Sequence, residues 1–232
     1  MITHQIADLK VGIEYKHPRM INQAAAYVID NTETDFNIEV PEQAIEAMHN
    51  GNPHLSIDSC EYMATSFVFY RKLVEYNGML LHASAVIKDG YAYLFSAPSG
   101  TGKSTHTELW LKAFPGAEIL NDDKPAIRCV DGRVNAYGTP WSGKTSLNLN
   151  RCIPIGGICF LERSEENHIT EITTAEAIPL ILNQTVRPKL KENMDKLLDV
   201  IETILNNTKV YKMGCNISEE AAKIAYEAMK AE

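Results

Sequence analysis

The stretch of sequence that decides the fold spans residues 91–114 and reads YAYLFSAPSGTGKSTHTELWLKAF. Its first part, residues 91–97, is rich in aromatic and β-favouring residues and predicts a buried strand. A glycine-rich turn follows, and residues 104–114 have a helical pattern that ends before Pro115 and Gly116. The sequence therefore predicts a strand, a tight turn and a helix in direct succession.

The turn has the composition of a phosphate-binding loop. Residues 97–104 read APSGTGKS, which fits the Walker A pattern GxxxxGK[ST] except that Ala97 replaces the first glycine. The glycines let backbone N–H groups turn inward, the helix N-terminus adds a positive dipole, and the lysine can reach the outer phosphates of a nucleotide. A plain glycine turn between two elements is the structural alternative. The residues assigned to nucleotide binding are Ser99, Gly100, Thr101, Gly102, Lys103, Ser104 and Thr105.

A pair of carboxylates, Asp122 and Asp123, follows the apolar strand predicted at 117–120. Walker B carboxylates occupy such a position beside the loop that holds the triphosphate. One aspartate would bind Mg²⁺ together with Ser104, and the other would accept the proton of an attacking hydroxyl. We assign both to catalysis and Asp123 to the metal, although the spacing does not decide which aspartate has which role. A solvated turn is the alternative, because Asp is common in turns.

His82 stands in the otherwise apolar strand predicted at 80–88. Asp89-Gly90 joins that strand to the strand at 91–97, which predicts an antiparallel hairpin. Because the second strand of this hairpin leads into the glycine-rich turn, His82 is expected at the same edge of the sheet as the phosphate loop. The alternative is a core histidine whose ring nitrogens are satisfied.

Residues 137–144 read YGTPWSGK and follow another predicted strand, which is typical of an active-site loop. Lys144 or Arg151 could neutralise charge on a moving phosphoryl group, and Trp141 could contact the acceptor. Arg163, after the strand predicted at 153–161, is a weaker candidate of the same kind. The alternative is a Gly-Pro turn with a packing tryptophan and a solvated lysine.

Composition excludes several classes of protein. The chain has 232 residues, of which 45% are hydrophobic and 22% charged, and its formal net charge is −8. This composition is that of a globular protein and not of a fibrous or membrane-spanning one. The acidic balance argues against nucleic acid as a partner, because binding to phosphates needs a basic surface. The first residues lack a secretory pattern, so we expect a cytoplasmic chain with reduced cysteines and no membrane partner.

The strand patterns cluster in the middle of the chain. Residues 1–76 are interpreted as a small N-terminal α/β extension that packs on the core, and residues 77–232 as the core itself. A second hairpin is predicted at 126–130 and 133–137, a helix at 60–76, and a helical C-terminal region over the last 45 residues or so. The predicted fold class is α/β, with a mostly antiparallel or mixed sheet around the strand, phosphate loop and helix.

Three segments together resemble the C-terminal catalytic domain of HPr kinase/phosphorylase, a relative of the phosphoenolpyruvate carboxykinase nucleotide-binding core. These segments are residues 80–86, residues 96–104 and residues 121–123, which read LLHASAV, SAPSGTGKS and NDD. The resemblance implies a phosphotransferase that uses ATP and Mg²⁺ to move the γ-phosphoryl group to a hydroxyl acceptor. It implies Lys103 and Ser104 on phosphate and metal, the two aspartates as base and metal ligand, and His82 near the transferred group.

The chain also departs from that family. It has Thr105 where those kinases have Glu, and Ala83-Ser84 where they have Gly-Val after the histidine. The N-terminal part is far shorter than theirs, so HPr itself does not follow as the acceptor. We expect the acceptor to be a peptide, a protein or a small molecule with a hydroxyl group. We also expect some homo-oligomer of this chain. The alternatives are an ATP-binding module without catalysis and a carboxykinase-like activity.

Overall fold

The computed structural model describes residues 1–230. In chain order, its elements are β1 (Ile2–Ile6), β2 (Leu9–Ile13), α1 (Pro18–Ala24), β3 (Phe36–Ile38), α2 (Glu42–Gly51), α3 (Ile57–Leu73), β4 (Gly78–Leu80), β5 (Ala83–Lys88), β6 (Tyr91–Ser96), α4 (Lys103–Ala113), β7 (Glu118–Asp123), β8 (Ala126–Val130), β9 (Arg133–Tyr137), β10 (Cys152–Arg163), β11 (His168–Glu171), α5 (Thr174–Asn183), α6 (Lys191–Asn207), β12 (Val210–Cys215) and α7 (Glu219–Met229).

The main sheet is mixed and mostly antiparallel. Its strands run in the order β4-β8-β9-β10-β6-β5-β7, and β12 pairs with β10 and β11. Only the pairs of β10 with β6 and with β12 are parallel. The first residues of β10 pair with β9 and its later residues with β6 and β12, so this long strand joins two parts of a curled sheet. The structure thus confirms the predicted fold class.

The central strand, turn and helix are also confirmed. β6 ends at Ser96 and α4 begins at Lys103. The hairpin between β5 and β6 is antiparallel and turns at Asp89 and Gly90, both with positive φ. β7 is longer than the predicted strand and includes both Asp122 and Asp123.

The prediction of one strand through His82 is wrong. β4 ends at Leu80 and β5 begins at Ala83, so His82 lies in a break between two strands. Its backbone N–H donates to the carbonyl oxygen of Gln184 at 2.7 Å, and its own carbonyl oxygen accepts from the Ser96 hydroxyl at 2.8 Å. Side-chain and loop partners thus satisfy the backbone where sheet pairing stops.

The C-terminal region is not wholly helical, contrary to prediction. β12 lies between α6 and α7 and pairs with β10 over Val210–Cys215. Within β12, Val210, Tyr211 and Met213 are buried. Such a short apolar run does not by itself distinguish a strand from a helix, and pairing with β10 decides it.

The N-terminal elements form a small sheet of their own. β1 pairs antiparallel with β2, and β2 pairs parallel with β3. The turn between β1 and β2 has Ala7 and Asp8 at positive φ, a geometry that lacks the usual Asn-Gly signature and was therefore missed. The buried side of this sheet shares one hydrophobic cluster with α3, with Tyr137 and with Trp141.

Trp141 belongs to this cluster and cannot contact an acceptor. Its side chain is fully buried, its ring lies 4.7 Å from the Phe69 ring and 5.7 Å from the Tyr70 ring between centroids, and its indole N–H donates to the Thr65 hydroxyl. The packing alternative for this residue is therefore correct.

Among residues 1–230, no helix combines the length and the apolar character needed to cross a membrane.

Trp141→Ala is expected to lower the free energy of unfolding by about 3–5 kcal/mol, because it leaves a cavity between the N-terminal sheet, α3 and the 137–144 loop. Urea unfolding followed by circular dichroism measures this change. Trp141→Phe keeps the aromatic stacking and should cost markedly less. An alanine variant with parental stability would contradict the packing role.

Candidate active site

A cleft of about 690 Å³ lies between the glycine-rich loop (residues 97–102), the end of β7, the 143–145 segment and the helices α1 and α3. Its described lining contains four basic and two acidic side chains, in a chain whose net charge is −8. These charged groups are Arg19, Lys103, Lys124, Lys144, Asp122 and Asp123. A cleft with this balance favours anions.

The register of the sheet explains why the cleft forms here. β5 lies between β6 and β7, and Ala83 of β5 is paired with Ser96 on one side and with Asp123 on the other. The chain leaves β6 at Ser96 directly into the glycine-rich loop. The loop, the two aspartates and His82, which precedes Ala83, therefore meet at one edge of the sheet.

The glycine-rich loop has a backbone that needs its glycines. Gly100 has φ +79° and Gly102 has φ +124°, backbone angles that residues other than glycine rarely adopt. Lys103 begins α4, and its ammonium group donates to the carbonyl oxygen of Ala97 at 3.0 Å. Burial lowers the pKa of Lys103, and the two aspartates partly offset that effect. The loop thus holds a partly desolvated cation that an anion would stabilise.

Asp122 is buried and both of its carboxylate oxygens accept a hydroxyl hydrogen bond. Ser104 donates to Oδ1 at 2.8 Å, and Thr145 donates to Oδ2 at 2.9 Å. These contacts join the first turn of α4, the end of β7 and the loop after Gly143. Thr145 was not among the predicted site residues, because a single threonine in a loop has no recognisable motif.

Asp123 faces the cleft beside His82. Its Oδ1 atom lies 3.1 Å from Nε2 of His82, and Nδ1 of that ring lies 3.1 Å from Oε1 of Gln184. The Lys124 ammonium group lies 3.7 Å from Oδ2 of Asp123. Burial alone raises the pKa of Asp123, but the His82 hydrogen bond and the charges of Lys124, His82 and Lys103 outweigh it, so the net pKa is lowered. The carboxylate is therefore ionised at neutral pH.

Buried polar groups hold the Asp123–Lys124 turn in an unusual conformation. Asp123 has φ +121°, which is rare for a residue with a side chain. The Asn121 side chain accepts from the N–H of Lys124 at 2.9 Å. The carbonyl oxygen of Lys124 accepts from the Tyr70 hydroxyl at 2.5 Å and from the Thr139 hydroxyl at 2.8 Å. These contacts fix the direction in which the Asp123 carboxylate points.

The N-terminal segment contributes a cation that sequence reasoning missed. The Arg19 guanidinium lies 3.7 Å from the centroid of the Tyr62 ring, and the Lys124 ammonium group lies 4.7 Å from the same centroid. Arg19 also donates to the carbonyl oxygen of Gly143 at 2.6 Å. Within residues 1–230, Arg19, Lys103 and Lys144 have no carboxylate within 4.0 Å of their side-chain nitrogens. A lone arginine in a short helix gives no signal in the sequence.

Most of the predicted site residues meet in this cleft. His82 and Lys144 line it together with the aspartates and with Ser99, Gly100, Gly102, Lys103, Ser104 and Thr105. Thr101 faces a second cavity on the other side of the loop. Arg151 does not line the cleft: its guanidinium pairs with Glu118 at 2.7 Å on the surface. Arg151, predicted as a catalytic cation, is therefore not among the residues that the structure brings into the cleft, because its guanidinium is engaged by Glu118.

The oxygen atoms that could bind Mg²⁺ differ from the pair predicted from the sequence, Ser104 and Asp123. Among the described residues, no group of three or more His, Cys, Asp or Glu side chains could hold a metal ion by itself. Mg²⁺ needs less than this, since it binds one or two carboxylates together with substrate phosphates and water. The Ser104 hydroxyl and the Asp122 carboxylate, both possible oxygen ligands, are in direct contact, whereas Asp123 pairs with His82. Asp122, and not the predicted metal ligand Asp123, is thus the carboxylate in contact with Ser104.

Comparison with known proteins identifies the family. Residues 56–222 match the family model described as SynChlorMet cassette protein ScmC. The chain belongs to the ScmC family. The matched range contains the glycine-rich loop, both aspartates and His82, whereas Arg19 lies outside it. No curated protein matches this ScmC family member.

Among solved structures, the ScmC family member is similar to the Hpr(Ser) kinase/phosphatase from Coxiella burnetii. The two share 11% sequence identity with a TM-score of 0.38, and the match covers 64% of this chain and 93% of that chain.

Gly143 gives a direct test of the site geometry. It has φ +70°, and a Cβ atom there would lie 2.9 Å from Cβ of Asp123. Gly143→Ala is expected to cost about 2 kcal/mol or more of unfolding free energy, from backbone strain and from displacement of Asp123. Gly132→Ala is the matched control, because Gly132 has φ +74° but open space around it.

Chemical denaturation measures both stabilities, and two-dimensional NMR of the His82 ring reports the displacement of Asp123. Gly132→Ala should cost only the strain, about 1–2 kcal/mol, and should leave the His82 signals unchanged. Equal effects of the two substitutions on stability and on the His82 signals would contradict the tight contact.

The pKa of Asp123 should lie below its ordinary value of 3.8 and should rise in His82→Ala, since the hydrogen bond from His82 is the strongest lowering influence. Because the folded-state pKa lies below the unfolded-state pKa, ionised Asp123 stabilises the fold at pH values above the unfolded-state pKa. This contribution is lost as the pH falls through the folded-state pKa. Carbon-13 NMR titration of the carboxylate measures the change. His54→Ala, at an exposed histidine, is the control and should leave the pKa where it is.

Proposed function

We propose that this protein is an ATP-dependent phosphotransferase that moves the γ-phosphoryl group of ATP to a hydroxyl group of an acceptor. One observation carries the proposal. A single cleft holds the Lys103–Ser104 start of α4, the Asp122 carboxylate bonded to Ser104, and the Asp123–His82 pair. Phosphoryl transfer needs anion binding, charge neutralisation and an oriented nucleophile, and these groups are of the kinds that would supply each of them.

Binding of the triphosphate rests on the glycine-rich loop and α4. The N–H groups at the start of the helix and the helix dipole favour phosphate oxygens. Lys103 would exchange its hydrogen bond to the Ala97 carbonyl for a charge-assisted bond to the β- and γ-phosphates. That exchange also relieves the desolvation that lowers the pKa of the lysine in the free protein.

Ser104 and Asp122 are the residues that would hold Mg²⁺ in this site. When bound, Mg²⁺ neutralises charge on the β- and γ-phosphates. Thr145 donates to the second oxygen of Asp122 and so fixes the plane of the carboxylate. In metal sites, hydrogen bonds of this kind orient the carboxylate that binds the metal.

Asp123 would act as the base. Its carboxylate is ionised and faces the cleft, and His82 and Lys124 orient it. The acceptor hydroxyl gives its proton to Asp123 as its oxygen forms a bond to the γ-phosphorus. The bond between the γ-phosphorus and the β–γ bridging oxygen breaks, and ADP leaves with that electron pair. Asp123 then releases the proton to solvent.

Three further cations line the cleft and would neutralise charge on the moving phosphoryl group. Lys144, Lys124 and Arg19 line the same cleft, and the last two flank the Tyr62 ring. Cations so placed stabilise the charge on the equatorial oxygens of the transition state. A serine of a peptide or protein, or a small metabolite with a hydroxyl group, is the proposed acceptor.

Substitution of the base should separate binding from transfer. Asp123→Asn is expected to keep ATP binding within about threefold and to lower the transfer rate by about 100-fold or more, because the general base is lost. Lys103→Met should abolish the thermal shift that ATP and Mg²⁺ produce in the parent. Asp131→Asn is the matched control, since Asp131 also has positive φ but lies in a surface turn.

Thermal shift with ATP, with and without Mg²⁺, measures binding. Mass spectrometry of a cell extract incubated with the protein and ATP labelled with heavy oxygen at the γ-phosphoryl group measures transfer and locates the acceptor. Absence of an ATP-dependent shift in the parent overturns nucleotide binding. Binding without any transferred label supports the module without catalysis, and transfer at the parental rate by Asp123→Asn overturns the role of the base.

A further inference from the structure

A second cavity of about 640 Å³ lies on the opposite side of the glycine-rich loop from the aspartates. Gly100, Gly102 and Thr105 line both this cavity and the main cleft. The loop therefore separates the two cavities. A ligand that extends across the loop can place one end in each cavity.

We propose that this second cavity binds the base and ribose of the nucleotide whose phosphates occupy the main cleft. The inference rests on the proposed function and adds to it the place of the nucleoside, for which no sequence motif gives a position. From here on, the cavity is called the nucleoside pocket.

The order of groups along the loop sets the direction of the nucleotide. In a loop of this kind, the lysine reaches the β- and γ-phosphates, and backbone N–H groups cradle the α- and β-phosphates. Lys103 and Asp122 mark the γ-phosphate end in the main cleft. The α-phosphate then lies toward the side of Thr105 that faces away from the aspartates. The nucleoside attached to it continues into the second cavity.

The walls of the nucleoside pocket have the chemistry that a flat base requires. Leu109 of α4 and Leu161 of β10 provide an aliphatic floor, and Ile217 stands at the rim between β12 and α7. The Ile217 side chain is 81% exposed, although Ile is among the residues most often buried. Apolar walls of this kind, in a cavity of about 300–1,000 Å³, are typical of small-molecule sites.

Two polar side chains of the pocket, Asn216 and His106, already have partners within the protein, and the charged residues Glu162, Arg163 and Glu165 also line it. The Asn216 side chain donates to the carbonyl oxygen of Glu165 at 2.9 Å and accepts from the Ser218 hydroxyl at 2.6 Å. Nε2 of His106 accepts from the indole N–H of Trp110 at 3.2 Å. Burial lowers the pKa of His106 to about 4, so its ring is uncharged at neutral pH.

Arg163 connects the pocket to the loop. Its guanidinium donates to the carbonyl oxygen of Gly100 at 2.7 Å and to that of Thr101 at 3.4 Å. These bonds tie the glycine-rich loop to the end of β10. Arg163 is thus a positioning residue on the nucleoside side of the loop and not a cation of the transfer step.

The test compares ADP with pyrophosphate, which lacks the nucleoside, by isothermal titration calorimetry of the full chain with Mg²⁺ present. The parent should bind ADP more tightly than pyrophosphate. Ile217→Asn should weaken ADP binding by about tenfold, because the aliphatic contact with the base is lost, and should leave pyrophosphate binding unchanged. Leu190→Asn is the matched control at another exposed aliphatic residue and should change neither affinity.

Each other outcome has one meaning. Equal affinity of the parent for ADP and pyrophosphate, or equal binding of ADP by Ile217→Asn and the parent, overturns the nucleoside pocket and leaves the phosphotransferase proposal standing. If neither ligand binds, nucleotide binding itself fails and the proposed function fails with it. Circular dichroism melting of both variants confirms that they are folded.

Discussion

The hydrogen bond from the Ser104 hydroxyl to the Asp122 carboxylate, 2.8 Å long, is the contact on which the candidate site depends. It joins the first turn of α4 to the end of β7, and the rest of α4, the turn after it and most of β7 lie between the two residues in the chain. The pairing of β5 with both β6 and β7 brings these ends to the same edge of the sheet. Because Asp122 is buried there, loss of the Ser104 contact would leave one of its two carboxylate oxygens without a hydrogen bond, which is costly.

Asp123 shows how strain at one residue is supported from several elements. Its φ of +121° is held by Asn121 on its own strand, by Tyr70 of α3 and by Thr139 after β9. Such conformations persist only where surrounding structure enforces them, and they concentrate at functional sites. The N-terminal segment adds to this support, since Arg19 bonds to Gly143 and Gly143 packs on Asp123. Arg19 of α1 and Tyr62 of α3 thus line the cleft together with residues of the main sheet.

Sequence reasoning found the residues whose types form a spaced motif and missed those that reach the cleft singly. The glycine-rich loop, both aspartates and His82 were predicted to lie together, and they do. Arg19 and Thr145 carry no motif, and Arg151 was misjudged because a cation near a loop in sequence can pair elsewhere, as it does with Glu118. For Trp141 the sequence left an acceptor contact and a packing role open, and only the structure shows that its side chain fills the core between α3 and the small sheet.

The sequence by itself determined the order of strand, glycine-rich turn and helix, the hairpins at Asp-Gly pairs and the mixed α/β class, because these follow from local backbone preferences and hydrophobic periodicity. Only the tertiary structure decided that β12 is a strand, that His82 lies in a break beside Asp123, and that Asp122 and not Asp123 contacts Ser104. Those features depend on which distant segments pair and in which register. Contacts between residues far apart in the chain are set by packing, and no local pattern encodes them.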